Sequence, residues 1–150
     1  LAARFGLSKR MDCRQAVYER RTPPRFEGPL SVRPLTAAQL PLVLAQYALA
    51  DEEELILVAQ GGCLFGGFFE ERLIGFIGLH LEGSMGMLEV LEPYRRRGFG
   101  AQLEAFLIGR LLERGRVPYA QIVEGNEKSL ALQAKMGLTL APGRVHWLMR

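Results

Sequence analysis

The sequence has few of the residues that mark disulfide-rich, metal-binding or membrane-spanning proteins. Its two cysteines, Cys13 and Cys63, lie in unrelated contexts, and such a pair indicates neither a disulfide framework nor a metal site. The longest apolar runs, such as residues 55–59, are far shorter than the ~20 residues of a membrane-spanning helix. The first ten residues lack the apolar core of a secretory signal. We therefore predict a reduced, cytoplasmic protein with no metal and no membrane partner.

A large excess of one charge is also absent. Lysine and arginine total 19 against 16 aspartate and glutamate residues, a formal net charge of +3. This excess is too small to indicate a nucleic-acid partner, although a local basic patch would still be compatible with one. A hydrophobic content of 49% with 23% charged residues is typical of a folded protein, and 150 residues suit one domain with a buried core.

Residues 1–30 differ from the rest of the chain. They are rich in charge and end in Pro23-Pro24 and Gly28-Pro29, which favours an N-terminal helix or arm followed by an extended connector. We therefore predict two parts, with residues 1–30 as this arm and connector and residues 31–150 as the functional domain.

Residues 31–150 alternate between strand and helix patterns. The predicted elements are a strand at 30–35, a helix through 49, a helix that starts at Asp51, three antiparallel strands over 63–92, a helix over 98–114, a strand at 118–124, a helix from Asn126 to Met136, and a terminal hairpin that turns at Pro142-Gly143. This order lacks the strict alternation of a doubly wound sheet. We predict an α/β (α+β) fold with a mixed, mostly antiparallel sheet of about seven strands and helices on both faces.

The stretch EVLEPYRRRGFG, residues 89–100, combines charge, glycine and a helix start. It is compatible with a phosphate-bearing ligand, a nucleic acid or a solvated loop. The first N–H groups of a helix have no intrahelical partner and lie at the positive end of its dipole. Gly98 and Gly100 let an anion approach the backbone closely, and Arg95 and Arg97 add charge. This geometry favours a pyrophosphate.

Other nucleotide and nucleic-acid motifs fit this stretch poorly. The strands before it carry aromatic residues, Phe68, Phe69 and Phe76, but few of the basic residues that a nucleic-acid surface interleaves with them. Only G-x-G of the dinucleotide fingerprint occurs, and a Walker lysine is absent. The phosphate ligand is therefore not predicted to be a simple nucleotide.

Residues 95–100, RRRGFG, match the R/Q-x-x-G-x-G/A motif of the GNAT acyl-CoA-dependent N-acetyltransferases. Val90 precedes the motif by five residues, where that family has the end of its fourth strand. The segment NEKSLALQAKMGL, residues 126–138, resembles the family's later helix. From about residue 31 to the C-terminus, the chain resembles this family in both motifs and strand order.

The resemblance implies a binding site for acetyl-CoA. Its pyrophosphate would bind the backbone amides of the motif turn, and its pantetheine arm would enter between the strand ending near Val90 and the strand starting near Ala120. The backbone N–H of Val90 would polarise the acetyl carbonyl. The residues expected to bind acetyl-CoA are Leu88, Val90, Arg95, Arg96, Arg97, Gly98, Phe99, Gly100, Ala101 and Asn126.

The chain departs from the family at one catalytic position. Many members carry a tyrosine in the late helix that protonates the departing thiolate, and Gln133 stands there in this sequence. A general base must also take a proton from the acceptor amine. Glu89 is beside Val90, but strand alternation directs it to the other face unless a bulge intervenes. His80 is the second candidate, and a water chain is the third alternative.

We therefore predict an N-acetyltransferase that moves an acetyl group from acetyl-CoA to a primary amine by direct attack. A non-catalytic acyl-CoA sensor of the same fold and a basic nucleic-acid-binding domain are the alternatives. The expected partner is a small-molecule or peptide amine, with no nucleic acid. The identity of the acceptor and a homodimeric state are left open.

Overall fold

The computed structural model describes residues 2–47 and 52–150. Its strands are β1 (Lys9–Val17), β2 (Ser31–Pro34), β3 (Leu64–Phe69), β4 (Arg72–Leu79), β5 (Met85–Val90), β6 (Tyr119–Val123) and β7 (Thr139–Met149). Its α-helices are α1 (Leu40–Gln46), α2 (Glu52–Gln60), α3 (Phe99–Glu113) and α4 (Glu127–Met136). Short 3-10 turns occupy Ala3–Phe5, Ala37–Gln39 and Glu92–Tyr94. The predicted helix start at Asp51 lies outside the described residues.

The seven strands form one sheet in the order β2-β3-β4-β5-β6-β1-β7. Every neighbouring pair is antiparallel except β5 and β6, which run parallel. The predicted mixed, mostly antiparallel sheet is confirmed.

Helices cover both faces of this sheet. Leu64 and Phe65 are adjacent in β3, so their side chains point to opposite faces, and each is almost fully buried. Leu64 belongs to a core with Leu55 and Val58 of α2. Phe65 belongs to a second core, which contains Leu103, Leu107 and Ile108 of α3 and Met136 of α4. The predicted placement of helices on both faces is therefore confirmed.

The N-terminal segment is a strand, and the helix predicted there is wrong. Strand β1 lies between β6 and β7 and pairs with both, so that Cys13 is opposite Val123 on one side and Val145 on the other. Cys13 and Ala16 are buried while Lys9 and Arg10 are exposed. The charged residues at the start of β1 stay in solvent, and Cys13 and Ala16 enter the core. The boundary at residue 30 stays a prediction, although β1 belongs to the same sheet as β2–β7.

The predicted C-terminal hairpin is also wrong. Residues 139–149 form the single strand β7, and Pro142-Gly143 lies inside it. The pairing of β7 with β1 shifts register between Arg14 and Ala16, so the Pro-Gly pair sits in a bulge. Because β1 supplies a partner along almost the whole of β7, the chain continues as one bulged strand where a turn was expected.

Strand β5 contains the bulge that would reverse the direction of its side chains. Its register with β4 shifts between the pairs Phe76–Glu89 and Gly78–Gly86, and Met87 has a left-handed φ of 51°. The two strands therefore carry one extra residue on β5 at this point.

No helix within residues 2–47 and 52–150 is long and apolar enough to cross a membrane.

Candidate functional site

Strands β5 and β6 touch at one end only, and a cleft opens beyond that contact. Their only paired residues are Met85 and Ala120, so the rest of β5 diverges from β6. A cleft of ≈ 1280 Å³ fills this opening and extends to α3, α4 and α2. Because neither strand loses a partner on its other side, the sheet stays intact around the opening.

The arginine-glycine turn closes one end of the cleft. The chain leaves β5 through the 3-10 turn at Glu92–Tyr94 and enters α3 at Phe99. Arg96 and Gly98 take left-handed φ values of 63° and 78°. Gly98 is the N-cap of α3 and no side chain caps the helix. The first N–H groups of α3 therefore keep their capacity to bind an anion.

The protein's own packing does not require a glycine at position 100. Among the residues that the structure describes, a Cβ added to Gly100 would meet Val90 Cγ2 at 3.9 Å, and one added to Gly98 would meet no neighbouring group within 4 Å. Gly98 is explained by its left-handed backbone, whereas Gly100 leaves open space beside the helix start. The pyrophosphate site predicted from the sequence lies beside this space, and this assignment stays a prediction.

The three arginines of the motif have different surroundings. Arg95 Nε donates to the Val90 carbonyl at 2.8 Å, and Arg95 Nη2 donates to Glu89 Oε1 at 2.9 Å. Arg97 stacks over the rings of Phe69 and Phe99, at 5.0 and 5.1 Å. Arg95 is thus already bound to the end of β5, and Arg97 is turned to aromatic rings.

All but one of the residues predicted to form the site line this cleft. The lining includes His80, Leu88, Glu89, Val90, Arg95, Arg96, Gly98, Phe99, Gly100, Ala101 and Asn126. Arg97 lies outside the lining. Asn126 also caps α4, because its Oδ1 accepts from the Ser129 N–H at 3.1 Å.

His80 is held in a defined orientation at the far end of the cleft. Its Nδ1 lies 3.0 Å from Glu54 Oε1 of α2. A carboxylate can only accept, so Nδ1 carries the hydrogen and the neutral ring keeps its lone pair on Nε2. Nε2 lies where a side chain of Gly86 would be, 2.4 Å from an added Cβ. The ring therefore packs over Gly86 of β5 with its basic nitrogen on that strand.

Acidic side chains surround this end of the cleft. One ligand atom from each of Glu54, His80 and Glu82 lies within 4.8 Å of the other two, so this cluster has donors that a metal ion accepts. Glu53 and Glu89 line the same cleft. The prediction of no metal stays a prediction, and the negative charge of the rim favours a cationic ligand.

Tyr47 is a cleft residue that the sequence analysis missed. Its hydroxyl hydrogen-bonds with the Met87 backbone, at the bulge of β5, and burial raises its pKa above the usual value. Its ring packs edge-on against Phe76. In the sequence, Tyr47 is a single tyrosine in the apolar segment LVLAQYAL, and a segment of this composition is typical of the protein core.

Glu104 of α3 is the second residue that was missed. It lines the cleft and is only 1% exposed. Burial raises its pKa from 4.5 to about 7, against the opposing effect of the neighbouring Gln133 amide. Although Gln133 is adjacent, both carboxyl oxygens lack a partner at full hydrogen-bond geometry. A glutamate in an amphipathic helix usually faces water. The one sequence signal for burial of Glu104 is that Ala101, Ala105 and Ile108, its neighbours on the helix, are apolar.

The wall opposite β5 comes from the other half of the sheet. Trp147 Nε1 of β7 donates to Gln121 Oε1 of β6 at 2.5 Å, and both residues line the cleft.

Comparison with known proteins identifies the family. The model of the family described as FR47-like protein matches residues 67–148. No curated protein sequence matches the chain significantly.

Solved structures share the fold. A Drosophila protein superposes with a TM-score of 0.79 at 23% identity, over 97% of this chain and 53% of its own. A protein of the GNAT family from Novosphingobium aromaticivorans gives 0.72 at 20% identity, over 95% of this chain and 65% of its own. Arabidopsis thaliana Naa50, in complex with the bisubstrate analogue CoA-Ac-MVNAL, gives a TM-score of 0.60 at 17% identity, over 73% of this chain and 83% of its own. This chain thus spans less than two thirds of the first two proteins. Because the FR47-like model matches more than half of the chain, the chain belongs to the FR47-like family of the GNAT superfamily.

Proposed function

We propose that the protein is an N-acetyltransferase that transfers an acetyl group from acetyl-CoA to the primary amine of an acceptor. The observation that carries this proposal is the start of α3, which lacks a side-chain cap and has open space beside Gly100 at the end of a cleft between two strands. Helix N-termini of this kind bind phosphate groups.

In this proposal each part of the cleft binds one part of the co-substrate. The backbone amides from Arg96 to Ala101 hold the pyrophosphate, and the opening between β5 and β6 holds the pantetheine arm along Leu88. The backbone N–H of Val90 stabilises the negative charge that develops on the carbonyl oxygen. Arg95 acts through the end of β5, to which it is bound, and Arg97 acts through its backbone.

His80 is the base in this proposal. Its Nε2 keeps a lone pair because Glu54 binds Nδ1, and it faces β5 in the cleft. Glu89 is a weaker candidate because its carboxylate is already bound by Arg95. An acceptor amine that enters beside His80 gives up its proton there and attacks the acetyl carbonyl, and holding both substrates side by side supplies further rate.

The acidic rim favours an acceptor that arrives as a cation. Glu54 and Glu82 lie beside His80, and Glu53 lines the same cleft. Small polyamine-like molecules and peptide N-termini both carry such a charge. Naa50, whose solved complex contains a CoA–peptide analogue, makes peptides part of the panel to be tested.

Two measurements test the proposal. Thermal-shift titration should raise the Tm with CoA and leave it unchanged with an oligonucleotide; the reverse pattern would favour a nucleic-acid-binding domain. Thiol release from acetyl-CoA should then appear with at least one amine of a panel of polyamines, amino acids and peptides. CoA binding without thiol release for any amine would favour an acyl-CoA sensor instead.

A further inference from the structure

Glu104 lies inside the cleft, one helical turn beyond the proposed pyrophosphate site. Gly100 and Glu104 are four residues apart in α3, so they share one face of the helix. Both line the cleft, as does Ala101. Glu104 therefore belongs to the wall of the cleft that α3 forms, on the same helix face as Gly100.

Gln133 of α4 places a second buried polar side chain beside Glu104. It is 6% exposed, and its Oε1 has no hydrogen-bond partner among the described residues. It stands next to the Glu104 carboxyl and lines the cleft with it. Two elements thus direct buried polar groups to one place, where Glu104 Oε1, Glu104 Oε2 and Gln133 Oε1 have no partner at full hydrogen-bond geometry within residues 2–47 and 52–150.

Such an arrangement is costly unless a ligand completes it. A buried polar group without a partner loses the hydrogen bonds that it made with water in the unfolded chain, and nearly all buried polar groups in folded proteins are bonded. An apolar residue at position 104 would pack against Ala101 and Ile108 without this cost. The carboxyl group is therefore explained best by a ligand atom that exchanges a hydrogen bond or a proton with it.

The carboxyl group can act as a proton donor near neutral pH. Burial is the main cause that raises its pKa to about 7, and the Gln133 amide of α4 is the one group that opposes this rise. Below that pH the side chain carries a hydrogen, and a neutral carboxylic acid both donates and accepts.

We propose that Glu104 is the general acid that protonates the thiolate of CoA as it leaves, with Gln133 positioning its carboxyl group. The amine nitrogen bonds to the acetyl carbon, the C–S bond breaks, and its electron pair remains on sulfur. The Glu104 proton then moves to that sulfur, which leaves CoA as a thiol and Glu104 as a carboxylate that regains a proton from solvent. This inference rests on the proposed function. It assigns to α3 the role that the family's tyrosine has on α4, where this chain has Gln133.

The test compares Glu104→Gln, which keeps shape and polarity but cannot donate as an acid, with Glu113→Gln, the same change at an exposed position of α3. We expect E104Q to lower kcat by about 10²-fold or more, the usual contribution of a general acid. KM for acetyl-CoA and the Kd for CoA by calorimetry should stay within about threefold, because the contact matters mainly in the transition state. E113Q should behave like the unsubstituted protein.

The pH dependence separates an acid from a structural residue. In the unsubstituted protein kcat should fall as pH rises above about 7, and this limb should be missing in E104Q. A readout independent of turnover is the infrared C=O band of a protonated, buried carboxyl group, present at pH 6 and absent in E104Q.

The outcomes distinguish the two proposals. If the unsubstituted protein releases no thiol with any amine, both the proposed function and this role of Glu104 are overturned. If it does release thiol but E104Q keeps its kcat and its alkaline limb, or the infrared band is missing at pH 6, only the role of Glu104 is overturned.

Discussion

His80 Nδ1 lies 3.0 Å from Glu54 Oε1, and the same kind of pair recurs at the other end of the sheet, where His146 Nδ1 lies 2.6 Å from Asp12 Oδ1. The two histidines differ in position, since His80 lines the cleft and His146 does not. His146 therefore serves as a control when the role of His80 as a base is tested by substitution.

His80→Gln should lower kcat by about 10²-fold with little change in the KM for acetyl-CoA, because a general base contributes mainly to the chemical step. Glu54→Gln should lower kcat by a smaller factor, since it removes the partner that orients the ring. His146→Gln should leave kcat unchanged. Steady-state kinetics of the three variants at saturating acetyl-CoA measure these effects. An undiminished kcat in His80→Gln would show that Glu89 or water, and not His80, removes the proton.

Gly86→Ala should damage the same step without touching a charged residue. Its added Cβ would come within 2.4 Å of His80 Nε2, so the ring must rotate away from β5 and lose its alignment with Glu54. We expect kcat to fall, as in His80→Gln. The double variant with both substitutions should have a kcat no lower than that of the more impaired single variant. Additive losses would show that Gly86 acts independently of His80.

Gly100→Leu should weaken CoA binding without weakening the fold. Among the described residues outside the backbone of α3 itself, the nearest atom to an added Cβ is Val90 Cγ2, at 3.9 Å, and helices are generally more stable when glycine is replaced by a better helix former. The side chain would instead fill the space proposed for the pyrophosphate. We expect an unchanged or higher Tm in the absence of ligand, and a rise of at least about tenfold in the KM for acetyl-CoA, or about 1.4 kcal/mol. Gly100→Ala, a residue that the family motif allows, should have a smaller effect, and an unchanged KM in Gly100→Leu would exclude the assigned site.

Much of the fold could be predicted from local sequence signals, such as helix caps and apolar spacing. Asn126 and Gly137 mark the two ends of α4, and the apolar spacing of residues 99–111 predicts α3. The arginine-glycine turn was predictable for the same reason, because a strand end, a left-handed glycine and a helix start are all local events.

The errors concern partners distant in sequence. Residues 9–17 become a strand because β6 and β7, more than 100 residues later, lie on either side of them. Residues 142–143 form no turn because β1 continues past them. Glu104 and the His80–Glu54 pair depend on how α3, α4 and α2 pack on the sheet, which no single segment specifies.

A charge at Ala16 tests the corrected position of β1. Ala16 is 0% exposed and lies between Ala120 of β6 and Leu140 of β7. Ala16→Asp buries an unpaired carboxylate and should lower the free energy of unfolding by about 3–5 kcal/mol. Lys9→Asp, at the exposed end of the same strand, should change it by about 0.5 kcal/mol or less. Urea denaturation measures both, and an unchanged free energy of unfolding for Ala16→Asp would contradict the position of β1 between β6 and β7.

The pKa of Glu104 should appear directly in the pH dependence of stability. The pKa is about 7 in the folded protein and 4.5 in the unfolded chain, so between these values the folded state holds a proton that the unfolded state has released. The resulting stability is complete below pH 4.5 and is lost as pH rises through 7, a change of roughly 3 kcal/mol. Asp12, whose pKa is about 2, stays charged throughout this window and adds no slope.

Glu104→Gln should remove this slope. The difference in the free energy of unfolding between the unsubstituted protein and E104Q, measured by urea denaturation from about pH 4.5 to about pH 8, should shift against the unsubstituted protein as pH rises. The same comparison for Glu113→Gln should show no trend. A flat difference for E104Q would mean that Glu104 has an ordinary pKa and ionises in the folded protein as it does in the unfolded chain.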